Sequence, residues 1–348
     1  MIPPIKIDLL TAGMDGHRRQ YVEVLEQELL AGAPELHLKV RDLTVAKASF
    51  GSALRTHFHP SMDDYWIRFG CTTLLRALLG RRTVAMFHRP NDCFRKDAFR
   101  YRVKRLLFQI LSRLPNVEIL TVLPFEVDPR FADVATNWIY DLQLWDLLVL
   151  DHLATSETPL SAEVRSAAAG RRIVIAFGRQ NRGKAFDYFA RIWTARPDIK
   201  DRFLFVAAGK VLPDCAASAQ AFVAAGGLSI DRYVDDRELF SLYRVADIVW
   251  SCYAPQYNMA SGIYDRAVQM SVPSIVRSGS LLATFGSHID HPTLAIPYAE
   301  PSAAADLIAR WEPARVPEGL ADKRAAQMRD HSLSVLRRAL GLPSPQTP

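Results

Sequence analysis

Short unbroken apolar runs, each followed by about ten residues of helical periodicity, fill the second half of this 348-residue chain. The clearest runs are 173–177 (IVIAF) and 203–208 (FLFVAA), with 247–252 (DIVWSC) apolar from its second residue to Trp250, and 228–234, 272–276 and 294–296 are strand-like. Helical stretches separate them at 216–225, 237–245, 261–270 and 303–311. Unbroken hydrophobicity marks strands covered on both faces, and strands alternating with helices build parallel βαβ units. The first half repeats the pattern less cleanly. It offers strands at 5–10, 36–41, 83–87 and 117–122, a short one at 138–141, and helices at 17–30 and 94–114. Length and pattern predict two α/β, Rossmann-like, doubly wound parallel-sheet domains, at 1–155 and 165–315. The polar, proline-containing stretch 152–163 lies between them. A charged helix follows within 316–341, and 342–348 is a tail with the composition of a disordered segment. A cleft faced by the two domains is the expected site, with ligands at the carboxyl ends of the strands.

Candidate chemistry concentrates at 171–184, RRIVIAFGRQNRGK. A buried strand ends there at Gly178, which permits a tight turn, and Arg179 and Lys184 put two cations at the start of the next helix. Backbone N–H groups, the positive end of the helix dipole and two cations suit a diphosphate. The alternative is a pair of solvated loop cations. The loop 257–264 brings small residues to another helix start, where Ser261 and Gly262 either contact a phosphate or simply cap the helix. In the first half, Gly13 and Gly16 bracket a turn that lacks G-x-G-x-x-G. The nicotinamide fingerprint is thus absent, although Asp42 imitates its acidic residue. Residues 57–64, HFHPSMDD, match no established metal-ligand spacing and read as a solvated loop.

These residues resemble the donor-binding domain of GT-B fold glycosyltransferases, in particular the large nucleotide-sugar-dependent family (group 1, or family 4-like). That family has a glycine-arginine turn after the first strand of its second domain and a lysine five residues beyond the arginine. Gly178, Arg179 and Lys184 fit, with Ala185 where a glycine usually follows. Residues 233–249 resemble the family's strand-helix-strand run, and 267–275 resemble its helix ending in glycine-x-proline, with Ser271 replacing the glycine. The resemblance implies a nucleoside diphosphate sugar as donor, no permanently bound cofactor and no metal. Arg179 and Lys184 would neutralise the leaving nucleotide, and the absence of any D-x-D agrees with this. It further implies Tyr233 and Val234 near the base, Ser261 and Gly262 at the phosphate, and the loop from Gly13 through Asp15 and Gly16 to His17 at the sugar or acceptor. His88, at a strand end, is implied as base or hydrogen-bond partner of the sugar. The family's E-x7-E glutamates fall on Asn258 and Arg266, with Asp265 about 100° away on the helix. The stereochemical outcome therefore stays open.

Charge bears on location. The net charge is +6, with a cluster at 94–114, where seven Lys/Arg face one Asp. Phe99, Val103, Leu106, Leu107, Ile110, Leu111 and Leu114 recur there at helical spacing. A basic amphipathic helix either lies on an anionic membrane surface or packs into the core with its other face solvated. No nucleic-acid motif accompanies it, so nucleic acid is not an expected partner. Four scattered cysteines without C-x-x-C fit a reducing cytosol. No apolar run approaches about 18 residues and the N-terminus opens on a strand, so neither a membrane span nor a signal peptide is expected. The expected activity is transfer of a hexose to a glycan or lipid-linked acceptor in cell-surface polysaccharide assembly, in the cytoplasm or at the inner face of the plasma membrane. A catalytically silent GT-B-like membrane-peripheral assembly partner and a nucleotide-sugar epimerase of the same architecture are the alternatives.

Overall fold

The computed structural model describes residues 5–13, 17–31, 36–43, 55–153 and 157–343. The chain divides into two compact units, Met1–Leu142 with Ala326–Pro348, and Gln143–Ala325. In the first, six strands form one parallel sheet: β1 (Ile5–Thr11), β2 (Leu36–Asp42), β3 (Thr56–His59), β4 (Thr83–Phe87), β5 (Val117–Thr121) and β6 (Asn137–Trp138), in the order β2-β1-β3-β4-β5-β6. Its helices are α1 (His17–Leu30), α2 (Trp66–Leu78) and α3 (Phe99–Leu111).

Two expectations for this unit are corrected. Residues 57–64 are no solvated loop: Thr56–His59 is the third strand, in register with β1 at Leu9↔Phe58, and His59 and Asp63 are buried. The helix expected over 94–114 starts only at Phe99. A 3-10 turn, Pro90–Phe94, precedes it, because Pro90 fixes the turn and Ala98 is extended. The apolar positions read along this helix also divide: Leu111 is buried, whereas Phe99, Val103, Leu106 and Ile110 are exposed.

In the second unit the strands are β7 (Arg172–Phe177), β8 (Phe203–Ala208), β9 (Leu228–Ile230), β10 (Ile248–Ser251), β11 (Ser274–Arg277) and β12 (Thr293–Ile296), all parallel, in the order β12-β11-β10-β7-β8-β9. Around them lie α4 (Pro159–Ala168), α5 (Phe186–Ala195), α6 (Ile199–Arg202), α7 (Ala216–Ala224), α8 (Asp236–Val245), α9 (Gly262–Gln269), α10 (Leu281–His288) and α11 (Pro301–Arg310), while α12 (Glu318–Leu340) begins in this unit and from Ala326 belongs to the first. The unbroken apolar runs have the expected cause. On β7, Val174 and Ala176 enter one core with Trp193, Phe205 and Trp250, while Ile173, Ile175 and Phe177 enter the other with Val206, Tyr243 and Val249. Strand order reverses between β7 and β10, so the crevice at their carboxyl ends is the switch point where open α/β sheets take ligands. The proline-containing stretch read from sequence as a linker opens α4, with Thr158 and Ser161 forming a capping box and Pro159 at the first turn.

Candidate functional site

The turn after β7 is held open by its glycines and braced from beneath. Gly178 has φ +77° and donates its N–H to the Ala208 carbonyl at 2.8 Å. Gly209, at the end of β8, lies so close that a methyl there would meet the Gly178 carbonyl oxygen at 2.1 Å. Buried Gln180 spans the turn, its amide donating to the carbonyls of Ala176 (2.9 Å) and Gly178 (2.8 Å). Sequence reading missed Gln180, because a brace between carbonyls leaves no local pattern.

Lys184 does not ride on the helix as expected. It precedes α5, because Ala185 takes a left-handed conformation, φ +55°, and the helix starts at Phe186. The lysine stem folds back instead. Its Nζ sits where a methyl on Gly178 would be 2.9 Å away and reaches the Phe177 carbonyl at 3.4 Å. Arg179 projects into solvent beside it. No carboxylate among the described residues pairs with either cation. Burial first, and the Arg179 charge second, pull the Lys184 ammonium down to about 8. Two cations without a carboxylate partner thus stand at the carboxyl end of the central strand, an arrangement whose charge is suited to an anion.

Across the switch point, the loop after β10 reaches the same turn: Ala254 N–H donates to the Gly183 carbonyl at 3.1 Å, and Ile263 Cδ1 lies near Gly178. Ser261 is the N-cap of α9, but its hydroxyl is occupied, bonded to the Tyr253 hydroxyl at 2.9 Å and accepting from Tyr264 N–H. Gly262 lies tight against Gln143, since a methyl there would fall 1.7 Å from its Oε1. Tyr233 is 74% exposed in the loop after β9, and Val234 packs partly onto the core. Arg179, Lys184, Ser261 and Gly262 thus share one strand-end crevice, while Tyr233 stands on the β9 side.

In the first unit, His88 follows β4 and is framed by Asp63. The Asp63 carboxylate accepts the backbone N–H groups of His88 (3.0 Å) and Arg89 (3.1 Å), and lies 3.6 Å from His88 Nδ1 and 3.7 Å from Lys104 Nζ. Burial pushes the His88 pKa down, but Asp63, helped by Asp141, outweighs it and raises the pKa above the ordinary histidine value. His59 bonds the Tyr65 hydroxyl at 3.1 Å and is driven well below that value by burial. Asp63 was not read as a site residue, since its partners stand 25 residues away along the chain. Gly13 has φ +92° and donates its N–H to Asp42 at 3.0 Å, so Asp42 braces this turn. Asp15 and Gly16 lie outside the described residues, as does the His17 side chain; the His17 backbone begins α1.

No protein-family model matches the chain, and no curated protein matches its sequence. Solved structures do match it. HepE from Anabaena, in complex with UDP, aligns with a TM-score of 0.62 at 10% identity, over 97% of this chain and 98% of that one. A UDP-forming α,α-trehalose-phosphate synthase from Burkholderia xenovorans gives 0.61 at 10% identity, over 99% and 100%. WaaG, a glycosyltransferase involved in lipopolysaccharide biosynthesis, gives 0.53 at 13% identity, over 97% and 98%. The chain has the GT-B fold.

Within this GT-B chain, the two positions matched to the family's glutamates are committed to structure. Asn258 accepts the Leu281 N–H at 2.9 Å at the start of α10. Arg266 forms a buried bidentate pair with Asp146 at 2.5 and 2.8 Å and lies 4.7 Å over the Phe240 ring. Ala185 and Ser271, which stand where the resembling sequences carry glycine, both hold positive φ, +55° and +59°.

Proposed function

We propose that this chain is a nucleotide-sugar-dependent glycosyltransferase whose donor diphosphate is held at the Gly178–Lys184 turn. The observation that carries the reading is the uncompensated pair Arg179 and Lys184, with Lys184 pulled down to about 8. In transfer, the bond between the anomeric carbon and the phosphate oxygen breaks, and the leaving diphosphate gains charge. Fixed cations stabilise that charge without a metal. The acceptor hydroxyl bonds to the anomeric carbon and passes its proton to the departing phosphate oxygen or to water. Asp63 raises the His88 pKa and so favours its charged form, which suits a hydrogen-bond donor to sugar oxygens. Gly13, Asp15, Gly16 and His17 belong, on this reading, to the sugar or acceptor side, Tyr233 and Val234 to the base, and Gly262 to the phosphate. The Ser261 hydroxyl is held by Tyr253, which leaves it a positioning part.

The finer reading is hexosyl transfer to a glycan or lipid-linked acceptor in cell-surface polysaccharide assembly, in the cytoplasm and at the membrane surface. Arg102 on α3, exposed with no carboxylate partner among the described residues, supports the membrane part, and UDP bound to HepE makes UDP the first donor nucleotide to try. A catalytically silent assembly partner is favoured by one observation, the loss of Asn258 and Arg266 to structural bonds. The test is thermal stability against UDP, GDP, ADP, dTDP and their sugar conjugates. One nucleotide should raise the melting temperature, and the Arg179→Ala, Lys184→Ala double variant should lose that rise with its fold intact. No rise with any nucleotide would overturn the donor site. A rise without sugar transfer would favour the silent partner.

A further inference from the structure

The first unit carries an apolar surface that the transferase reading does not use. On α3, Phe99, Val103, Leu106 and Ile110 are all exposed, at the i, i+4, i+7, i+11 spacing of a single helix face. The buried face of that helix is separate and carries Tyr101, Lys104, Phe108 and Leu111. On α2, Ile67, Leu75 and Leu78 are likewise exposed, Leu78 at 84%. Isolated exposed leucines mean little, but these two rows are neighbours. The helices touch at Gly70, where a methyl would lie 2.4 Å from Leu107 Cδ2. Ile67 is one turn before Gly70, and Val103 and Ile110 are one turn either side of Leu107. The exposed rows therefore lie on two helices that meet at one close contact, and each row has a member within a turn of it.

Charge selects the occupant. Neither α2 nor α3 contains an Asp or Glu, against six Lys and Arg. Lys104 turns inward to Asp63 and Asp92 (3.5 Å), Arg105 pairs with Asp133 (3.1 Å), and Arg76 bonds the carbonyls of Arg55 and Arg82. Arg68 and Arg102, with Arg113 just beyond α3, are exposed and pair with no carboxylate among the described residues. A second copy docked face to face would set these arginines against one another. An anionic lipid surface instead takes the apolar rows into its acyl boundary and the arginines at its headgroups.

We propose that the α2–α3 face seats the protein on an anionic bilayer, with both helices in contact. This deepens the membrane reading of 94–114 by adding α2 and assigning the buried row of α3 to the core. It does not depend on sugar transfer. The test is co-sedimentation of the full chain, without donor or acceptor, with vesicles of phosphatidylglycerol and phosphatidylcholine, against phosphatidylcholine alone. Binding should require phosphatidylglycerol and weaken with salt. Leu106→Glu with Ile110→Glu on α3, and separately Ile67→Glu with Leu78→Glu on α2, should each weaken it by at least about tenfold, while Arg68→Glu with Arg102→Glu should do likewise. All six positions are exposed, so melting temperature and any nucleotide-induced rise should persist in every variant. Absence of binding to the phosphatidylglycerol vesicles, or variants that bind like the parent, would overturn the proposal. A concentration-dependent dimer that the same variants dissociate would overturn it in favour of self-association.

Discussion

Lys184 couples the candidate anion site to pH. Its ammonium is destabilised in the folded chain, by burial first and by Arg179 second, and titrates near 8 rather than at the ordinary lysine value of 10.5. In that window the unfolded chain binds the additional proton, so the free protein gains stability as pH rises from about 8 towards 10.5. A bound diphosphate reverses the effect by favouring the charged lysine. Nucleotide affinity should therefore fall as pH rises through about 8, and calorimetry in buffers of different ionisation heat should register proton uptake on binding. Affinity unchanged between pH 7 and about 10 would remove Lys184 from the site. His88 has the opposite sign. Its raised pKa means that its pairing with Asp63 contributes fully below 6.5 and is lost as pH rises through the folded value.

At the scale of elements, the pattern that made β7, β8 and β10 legible is burial on both faces, which leaves continuous apolar runs. The third strand and α2 were less legible. Thr56–His59 has a single apolar residue, Phe58, and pairs at His57 with buried Asp8, which binds Arg41 and Arg55 at 3.0 and 2.9 Å, so no apolar run marks the strand. Ala185 and Ser271 were legible as departures from a pattern, yet their positive φ values could not be read from residue type, since both residues favour negative φ. Likewise, nothing in the spacing of Arg266 announced its partner. Asp146 lies 120 residues away, and the pair is almost completely buried. Arg266→Met should cost about 3–5 kcal/mol by leaving Asp146 charged and buried, whereas Arg266→Met with Asp146→Leu should recover most of it. Chemical denaturation of the three proteins decides this; equal loss in single and double variants would assign the cost to packing.

The whole molecule is not assembled in chain order. Helix α12 runs from Glu318 to Leu340, and from Ala326 onward its residues belong to the first unit. There, Arg329 pairs with Glu28 at 2.7 Å, Tyr140 N–H donates to Ser332 at 3.0 Å, and His331 stacks on Trp138 with ring centroids 4.1 Å apart. Met328, Leu333, Leu336 and Leu340 are buried. Each such side chain contributes about 1.5–3 kcal/mol when buried, a large share of a domain's marginal stability. A chain ending at Ala325 should therefore keep slow hydrogen exchange on β7, β8 and β10 and lose it on β1, β4 and β5. Protection retained in β1 would show that the first unit closes without α12. During synthesis the same discontinuity inverts the usual order of events, in which the N-terminal part folds first. The first 142 residues leave the ribosome without the segment that completes their core, and they wait while the whole of the second unit is made. The part of this protein that is born first is finished last.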